Sequence, residues 1–182
     1  MDFDRLALFH TVCPGYFERE YIRALDPENI YEEQVLDLHT FSPEDLVIPC
    51  PAQITFGIYE GDRAALHEAV RRVDEGWVQW YGEDSPPVFC AFDEGRIASF
   101  CLLDDFGTYQ GLRIGAPGCV GTVPEYRRMG IGLRMVQLAT QELKDMGYDL
   151  GYIHYTAVGH WYARLGYETV VKWNSQGIVE GA

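Results

Sequence analysis

The residues best placed to do chemistry gather in one run, Val120-Gly-Thr-Val-Pro-Glu-Tyr-Arg-Arg-Met-Gly-Ile-Gly-Leu133. A β-rich stretch leads into a loop with two glycines, and the loop opens directly into a helix-forming segment. Glycine lets backbone amides approach a ligand closely, and the first turn of a helix leaves four N–H groups without internal partners. With the helix dipole, these amides make a site for anionic oxygen. Arg127, Arg128 and Arg134 put three of the 14 basic side chains within eight residues, in a chain of formal net charge −14. The combination points to a phosphate-bearing ligand, whereas the glycines alone are equally consistent with a tight turn.

Two nucleotide-binding patterns fail. A dinucleotide fingerprint needs Gly-x-Gly-x-x-Gly, and only Gly130-x-Gly132 fits, followed by Arg134 and Met135. A P-loop needs Gly-Lys-Ser/Thr, which is absent. What fits is Arg127-x-x-Gly130-x-Gly132 on a strand-to-helix turn, approached by Thr122-Val-Pro-Glu-Tyr and followed later by Tyr162-Ala-Arg-Leu-Gly166-Tyr167. These motifs, separated by a helix and a strand, resemble the acyl-CoA pyrophosphate loop and the closing tyrosine motif of the GNAT superfamily (the general control N-acetyltransferases). The resemblance spans residues 52–173 and leaves 1–51 uncovered. One position departs from it: many relatives carry asparagine seven residues before the closing tyrosine, and here that residue is Tyr155.

The resemblance implies acetyl-CoA, or a close acyl-CoA, as acyl-donor cosubstrate, and no metal. On that basis Val120, Thr122 and Val123 offer backbone groups to the pantetheine arm. Arg127, Arg128, Met129, Gly130, Ile131, Gly132 and Leu133 hold the pyrophosphate. A strand amide near Val120 polarises the thioester carbonyl, and Tyr162 protonates the departing thiolate. The acceptor, a small-molecule or peptide amine, attacks directly. Presenting an amine of pKa ~10.4 in neutral form at pH 7 costs roughly 4–5 kcal/mol, so a base is needed. His154 is the candidate, because alternation puts it on one strand face with Tyr152 and Thr156, beside the splay between strands that the resemblance implies. A hydrogen-bonded core histidine is the plain alternative, and His160, Asp104 and Asp105 compete for the role. Trp77, Trp80 and Tyr81 lie on the helix that often lines the acceptor site in that family; an apolar core stripe explains them too. A non-catalytic acyl-CoA-binding sensor or protein-interaction module on the same fold is the alternative to an enzyme.

These residues need a scaffold. At 182 residues, 47% apolar and 23% charged, the chain has the size and composition of one folded domain. No run approaches the ~18 apolar residues of a membrane span. The start, Met-Asp-Phe-Asp-Arg, is acidic and leads into no apolar signal core, so a cytoplasmic protein is expected. With 28 acidic residues, the chain repels nucleic-acid phosphates and anionic membranes and attracts cationic partners. Residues 1–62 hold 13 of the acids and 3 of the bases, which reads as a solvated face. A homodimer is compatible with this composition. Five widely spaced cysteines with no Cys-x-x-Cys pair indicate neither a disulfide framework nor a zinc site.

Patterning predicts a short helix over Tyr16–Leu25, a second from Asp26-Pro27 to about Leu38, and a third start signal at Ser42-Pro43-Glu44-Asp45. Beyond these come a strand over Ile54–Tyr59 and a helix capped by Asp62 and running to Tyr81. A hairpin of Val88–Phe92 and Ile97–Leu103 follows, then a strand over Gly118–Val123 and a helix over Gly130–Met146. Strands at Leu150–Thr156 and Tyr167–Trp173 flank a short helix over Val158–Leu165. The expected fold is α/β: a single GNAT-like domain over residues 52–182 whose central mixed sheet is splayed at its middle. Residues 1–51 are expected as an N-terminal helical extension packed on it.

Overall fold

In the computed structural model, which describes residues 3–181, the chain begins with α1 (Arg5–Val12), α2 (Glu20–Arg23), β1 (Tyr31–Asp37) and β2 (Ile54–Ile58). It continues through α3 (Arg63–Arg71), β3 (Val88–Asp93), β4 (Arg96–Tyr109) and β5 (Leu112–Thr122) to the longest helix, α4 (Ile131–Asp145). The remaining elements are β6 (Leu150–Thr156), α5 (Gly159–Ala163), β7 (Glu168–Asn174) and β8 (Gly177–Gly181). The eight strands form one sheet in the order β2-β3-β4-β5-β6-β1-β7-β8. Every neighbouring pair is antiparallel except β5 and β6, which run parallel. That pair is bonded only at Ile114–Leu150 and Gly115–Gly151, and the strands then part. The mixed, centrally splayed α/β sheet expected from the sequence is therefore present.

Local chemistry explains why the splay is held open. The β3–β4 hairpin turns at Glu94 and Gly95, both at positive φ, and anchors the antiparallel half. Helix α4 buries Ile131, Leu133, Met135, Val136, Ala139 and Leu143 against the sheet. Each of the larger of these side chains contributes roughly 1.5–3 kcal/mol. Gly147, at φ 84°, ends that helix. On the opposite face α1 and the Tyr16–Glu18 turn pack Leu8, Phe9 and Tyr16 against Tyr152 and Trp173. Each side of the sheet thus has its own core. No helix among the described residues is long and apolar enough to cross a membrane.

The N-terminal region departs from expectation. Asp26-Pro27 does not open a helix; the Asp26 side chain accepts a bond from the Glu28 N–H in a turn, and Tyr31–Asp37 is a strand. That strand lies inside the sheet, antiparallel to both β6 and β7. Its interior residues include Glu33 and Gln34, and buried polar side chains hide the alternation that would mark a strand. Ser42 to Asp45 likewise makes a turn and not a helix. Tyr16–Leu25 divides into a 3-10 turn and the short α2. The helix expected from Asp62 to Tyr81 stops at Arg71, because Asp74 caps a new 3-10 segment, Glu75–Tyr81, by accepting from Gly76 N–H at 2.8 Å.

Candidate active site

The link from β5 to α4 presents free backbone donors at the start of a helix. Arg128 (φ 64°) and Gly130 (φ 79°) adopt left-handed backbone, which turns the chain sharply into the helix. Among the described residues, no hydrogen bond uses the backbone N–H groups of residues 128–133, and the ladder starts with Arg134 N–H to Gly130 O at 3.0 Å. Six consecutive amides are thus available at the positive end of a 15-residue helix. The two glycines are required by close approach. A Cβ on Gly130 would run into the Pro49 carbonyl, and one on Gly132 into the Thr122 hydroxyl. That hydroxyl is tied to Ser99 Oγ at 3.0 Å, and Ser99 in turn donates to Gly121 O at 2.7 Å. An open groove of about 810 Å³ runs over this loop, walled by Pro49, Thr122 and Trp161. Arg127, Arg128 and Arg164 also line it, and none of the three forms an ion pair among the described residues.

Where β5 and β6 part, each strand carries a bulge. Leu102 pairs with Gly118 and Phe100 with Gly121, so Cys119 and Val120 together oppose Cys101. Gln34 pairs with Ile153 and Glu32 with Thr156, so His154 and Tyr155 oppose Glu33. Cys119 (φ 45°) and Tyr155 (φ 54°) take a left-handed conformation that some bulges use and that non-glycine residues resist. A buried side chain secures each one. The Tyr81 hydroxyl donates to Cys119 O at 2.7 Å, and the Tyr155 N–H donates to Glu33 Oε1 at 3.1 Å.

Between the bulges lies a cavity of about 390 Å³ lined by Asp104, Phe106, Val120, His154, Tyr155 and Tyr162. Gly118 makes room for Asp104, because a Cβ there would collide with the carboxylate. Asp104 receives no hydrogen bond among the described residues. Burial pushes its carboxyl from the usual 3.8 up to about 6, with His154 acting in the opposite direction. Burial also holds the Tyr162 phenol well above its ordinary value, helped by Cys101 and Tyr167. His154 Nδ1 lies 2.8 Å from Glu33 Oε2, and Glu33 is wholly buried. Cys119, also at the cavity wall, is pushed up to about 12 by burial, which keeps its thiol protonated and unreactive.

The structure brings most of the sequence-derived residues together. Thr122, Arg127, Arg128, Met129, Gly130, Ile131, Gly132 and Leu133 line the outer groove. Val120, His154 and Tyr162 line the inner cavity, where Asp104 joins them. Val123 stands apart: its side chain is in the core and its N–H donates to Ala98 O at 3.0 Å. Asp105 is exposed and faces Arg113 at 3.8 Å, and His160 is exposed outside the cavity. Of the three aromatics, Trp77 lines the cavity, Trp80 is exposed and Tyr81 is buried beneath the β5 bulge. Sequence reasoning missed Glu33. Nothing near it in the chain marks it, since His154 lies 121 residues away.

Residues 84–169 match the family model described as the acetyltransferase (GNAT) domain. No curated protein sequence matches the chain. Among solved structures it is similar to a glucosamine N-acetyltransferase region in a fungal multi-domain GH3 β-N-acetylglucosaminidase, at 22% identity and TM-score 0.67, covering 82% of this chain and 20% of that one. It is also similar to GCN5-related N-acetyltransferases from Sphaerobacter thermophilus and Kribbella flavida. The first has 18% identity and TM-score 0.59 over 82% of this chain and 51% of that one. The second has 19% identity and TM-score 0.56 over 86% and 60%. The chain therefore spans between a fifth and three fifths of the length of these proteins, and the likeness is one of fold. Residues 84–169 thus carry the acetyltransferase (GNAT) domain match, and with its central splay the chain has the GNAT fold.

Proposed function

We propose that this protein moves an acetyl group from acetyl-CoA to the nitrogen of a primary amine. The observation that carries the reading is the adjoining pair of sites: in the groove, six amides without a hydrogen bond and three arginines without an ion pair among the described residues, and Asp104, His154 and Tyr162 around the cavity within the splay. The groove suits a pyrophosphate, because backbone N–H groups and guanidinium forks match phosphate oxygens. The parted strands β5 and β6 leave backbone groups for a pantetheine arm, and the bulge at Cys119–Val120 offers an amide to a carbonyl that gains negative charge.

The acceptor arrives as an ammonium, and His154 takes its proton. The amine nitrogen then bonds to the carbonyl carbon, the carbon–sulfur bond breaks, Tyr162 gives its proton to the departing sulfur, and the second proton that leaves the nitrogen restores the phenol. The raised phenol value means Tyr162 is protonated across the physiological range. It also makes the phenol a weaker acid, but the thiolate departs within the same poorly solvated cavity, and burial raises its proton affinity too. Asp104 is ionised above about pH 6 and supplies the negative charge that holds an ammonium. The fungal relative's description as a glucosamine N-acetyltransferase supports a small-molecule acceptor. A small or peptidic cationic amine in the cytoplasm is the acceptor class we favour.

Incubating the protein with isotope-labelled acetyl-CoA and a panel of amino sugars, polyamines and peptides tests this by mass spectrometry. Label appearing on an amine nitrogen supports transfer. Tight acetyl-CoA binding with no labelled amine from the panel or from a cell metabolite extract would make the chain an acyl-CoA-binding module instead.

A further inference from the structure

We infer that Glu33 is a positioning residue, whose carboxylate decides which nitrogen of His154 carries the lone pair; this rests on the acyl-transfer reading given above. Glu33 stands in the interior strand β1 with no solvent contact. Its Oε1 accepts from two groups that can only donate, the Trp173 Nε1–H at 2.9 Å and the Tyr155 N–H at 3.1 Å. Its Oε2 meets His154 Nδ1 at 2.8 Å. An ionised carboxylate only accepts, so Nδ1 must carry the hydrogen. In neutral imidazole the lone pair then sits on Nε2, the ring nitrogen that Glu33 leaves free. A base on the cavity wall needs that lone pair to take a proton from the acceptor.

The surroundings leave little else to set the ring. Cys13 Sγ lies 3.7 Å from Nδ1, and the rings of Tyr16, Phe106 and Tyr155 pack around the imidazole. Tyr152 lies two residues before it on β6, and Asp104 lines the same cavity from β4. Burial keeps the Cys13 thiol and the Tyr16 and Tyr152 phenols protonated, and Tyr155 is pushed up to about 12. Among the described residues, Glu33 and Asp104 are therefore the carboxylates beside His154, and Glu33 is the one bonded to it.

Glu33→Gln separates positioning from packing. The amide oxygen must remain on the side of Trp173 and Tyr155, because both donate. The NH2 group then faces Nδ1, and a donor there forces the lone pair onto Nδ1 and the hydrogen onto Nε2. The volume is almost unchanged, but the base is presented in the wrong tautomer. An acid-to-amide exchange beneath a triad histidine costs about 10⁴-fold in kcat, and loss of a general base costs about 10²–10⁴-fold.

The test is nitrogen NMR of ¹⁵N-histidine-labelled full-length protein above the histidine titration, with His154 assigned by the signal lost in His154→Gln. Steady-state kinetics and acetyl-CoA calorimetry accompany it. Wild-type protein should show the Nδ1–H tautomer, and Glu33→Gln the Nε2–H tautomer. The variant's kcat should fall about 10²–10⁴-fold while acetyl-CoA affinity stays within about twofold. Glu33→Asp, which keeps an acceptor-only group, should retain the wild-type tautomer. An Nε2–H tautomer in the wild type would overturn the inference even if the variant failed to fold. A switched tautomer in Glu33→Gln with undiminished kcat would overturn it as well. Absence of turnover in the wild type would instead refute the acyl-transfer reading, and the tautomer would still decide what Glu33 does.

Discussion

Replacing Asp104 by asparagine should make the protein more stable and less able to use its acceptor. The carboxyl is shifted from 3.8 to about 6 by burial, and no hydrogen bond among the described residues compensates the ionised form. A displacement of that size corresponds to about 3 kcal/mol against the ionised state. The side chain is only half-buried, so solvent screening reduces this to about 1–2 kcal/mol. The sign follows from proton binding. The folded chain holds the Asp104 proton more tightly than the unfolded chain, so its contribution is fully favourable below about pH 4 and is lost as pH rises through about 6. The asparagine side chain carries no charge at any pH. Relative to the parent, the variant should therefore gain most above pH 6 and nothing near pH 4. For a chain of this length 1 kcal/mol moves Tm by about 2–4 °C, so thermal melts at pH 7.5 should place the variant about 2–8 °C higher. By pH 5 roughly half of that gain should remain. At pH 7.5 kcat/KM for a cationic amine should fall about 10–100-fold, the worth of a hydrogen bond to a charged group. An identical Tm difference at pH 5 and 7.5, or a less stable variant at pH 7.5, would refute the assignment of an unpaired, burial-shifted carboxylate.

Two other variants probe the flanking sites. Arg128→Gly removes both a charge from the groove and a side chain from left-handed backbone that costs other residues about 1–2 kcal/mol. Calorimetry should show acetyl-CoA affinity about tenfold weaker while Tm holds or rises; unchanged affinity would remove Arg128 from the anion site. Tyr81→Phe deletes the hydroxyl that secures Cys119 O, at a cost of about 1–1.5 kcal/mol in stability. If that bond holds the β5 bulge in working shape, kcat should fall about tenfold, and a kcat equal to the parent's would show the bulge stands without it.

Features written in neighbouring residues were the legible ones. Gly130 is suited to the left-handed backbone of the turn it makes (φ 79°), Gly132 to the close approach of Thr122 ten residues before it, and Gly166 to the end of a short helix (φ 94°). The strand-to-helix turn, α4 and the short helix that Gly166 ends could therefore be read from the sequence. His154 was found by alternation, although the bulge at Tyr155 interrupts that alternation one residue later. Features that depend on distant partners were not legible. Strand β1 looks polar and is preceded by a helix-start signal, yet Glu33 is buried because Trp173, Tyr155 and His154 wait for its carboxylate. Asp104 belongs with Gly118, and Tyr81 with Cys119, pairings that only the folded sheet creates. Trp77 continues the helical spacing of α3, but Asp74 intervenes with a cap of its own.

The measurement closest to the central claim is kcat for wild-type protein and Tyr162→Phe on the same amine, with acetyl-CoA affinity and Tm measured beside it. Tyr162 lines the cavity in the splay, its phenol stays protonated, and among the described residues no hydrogen bond occupies its hydroxyl. If that hydroxyl supplies the proton to the leaving sulfur, its removal should lower kcat by about 10²–10⁴-fold, the range for a general acid. Acetyl-CoA affinity should change little, because the ring and the groove remain. A kcat within about twofold of the parent, at equal Tm, would contradict the account and leave Tyr162 as a packing residue.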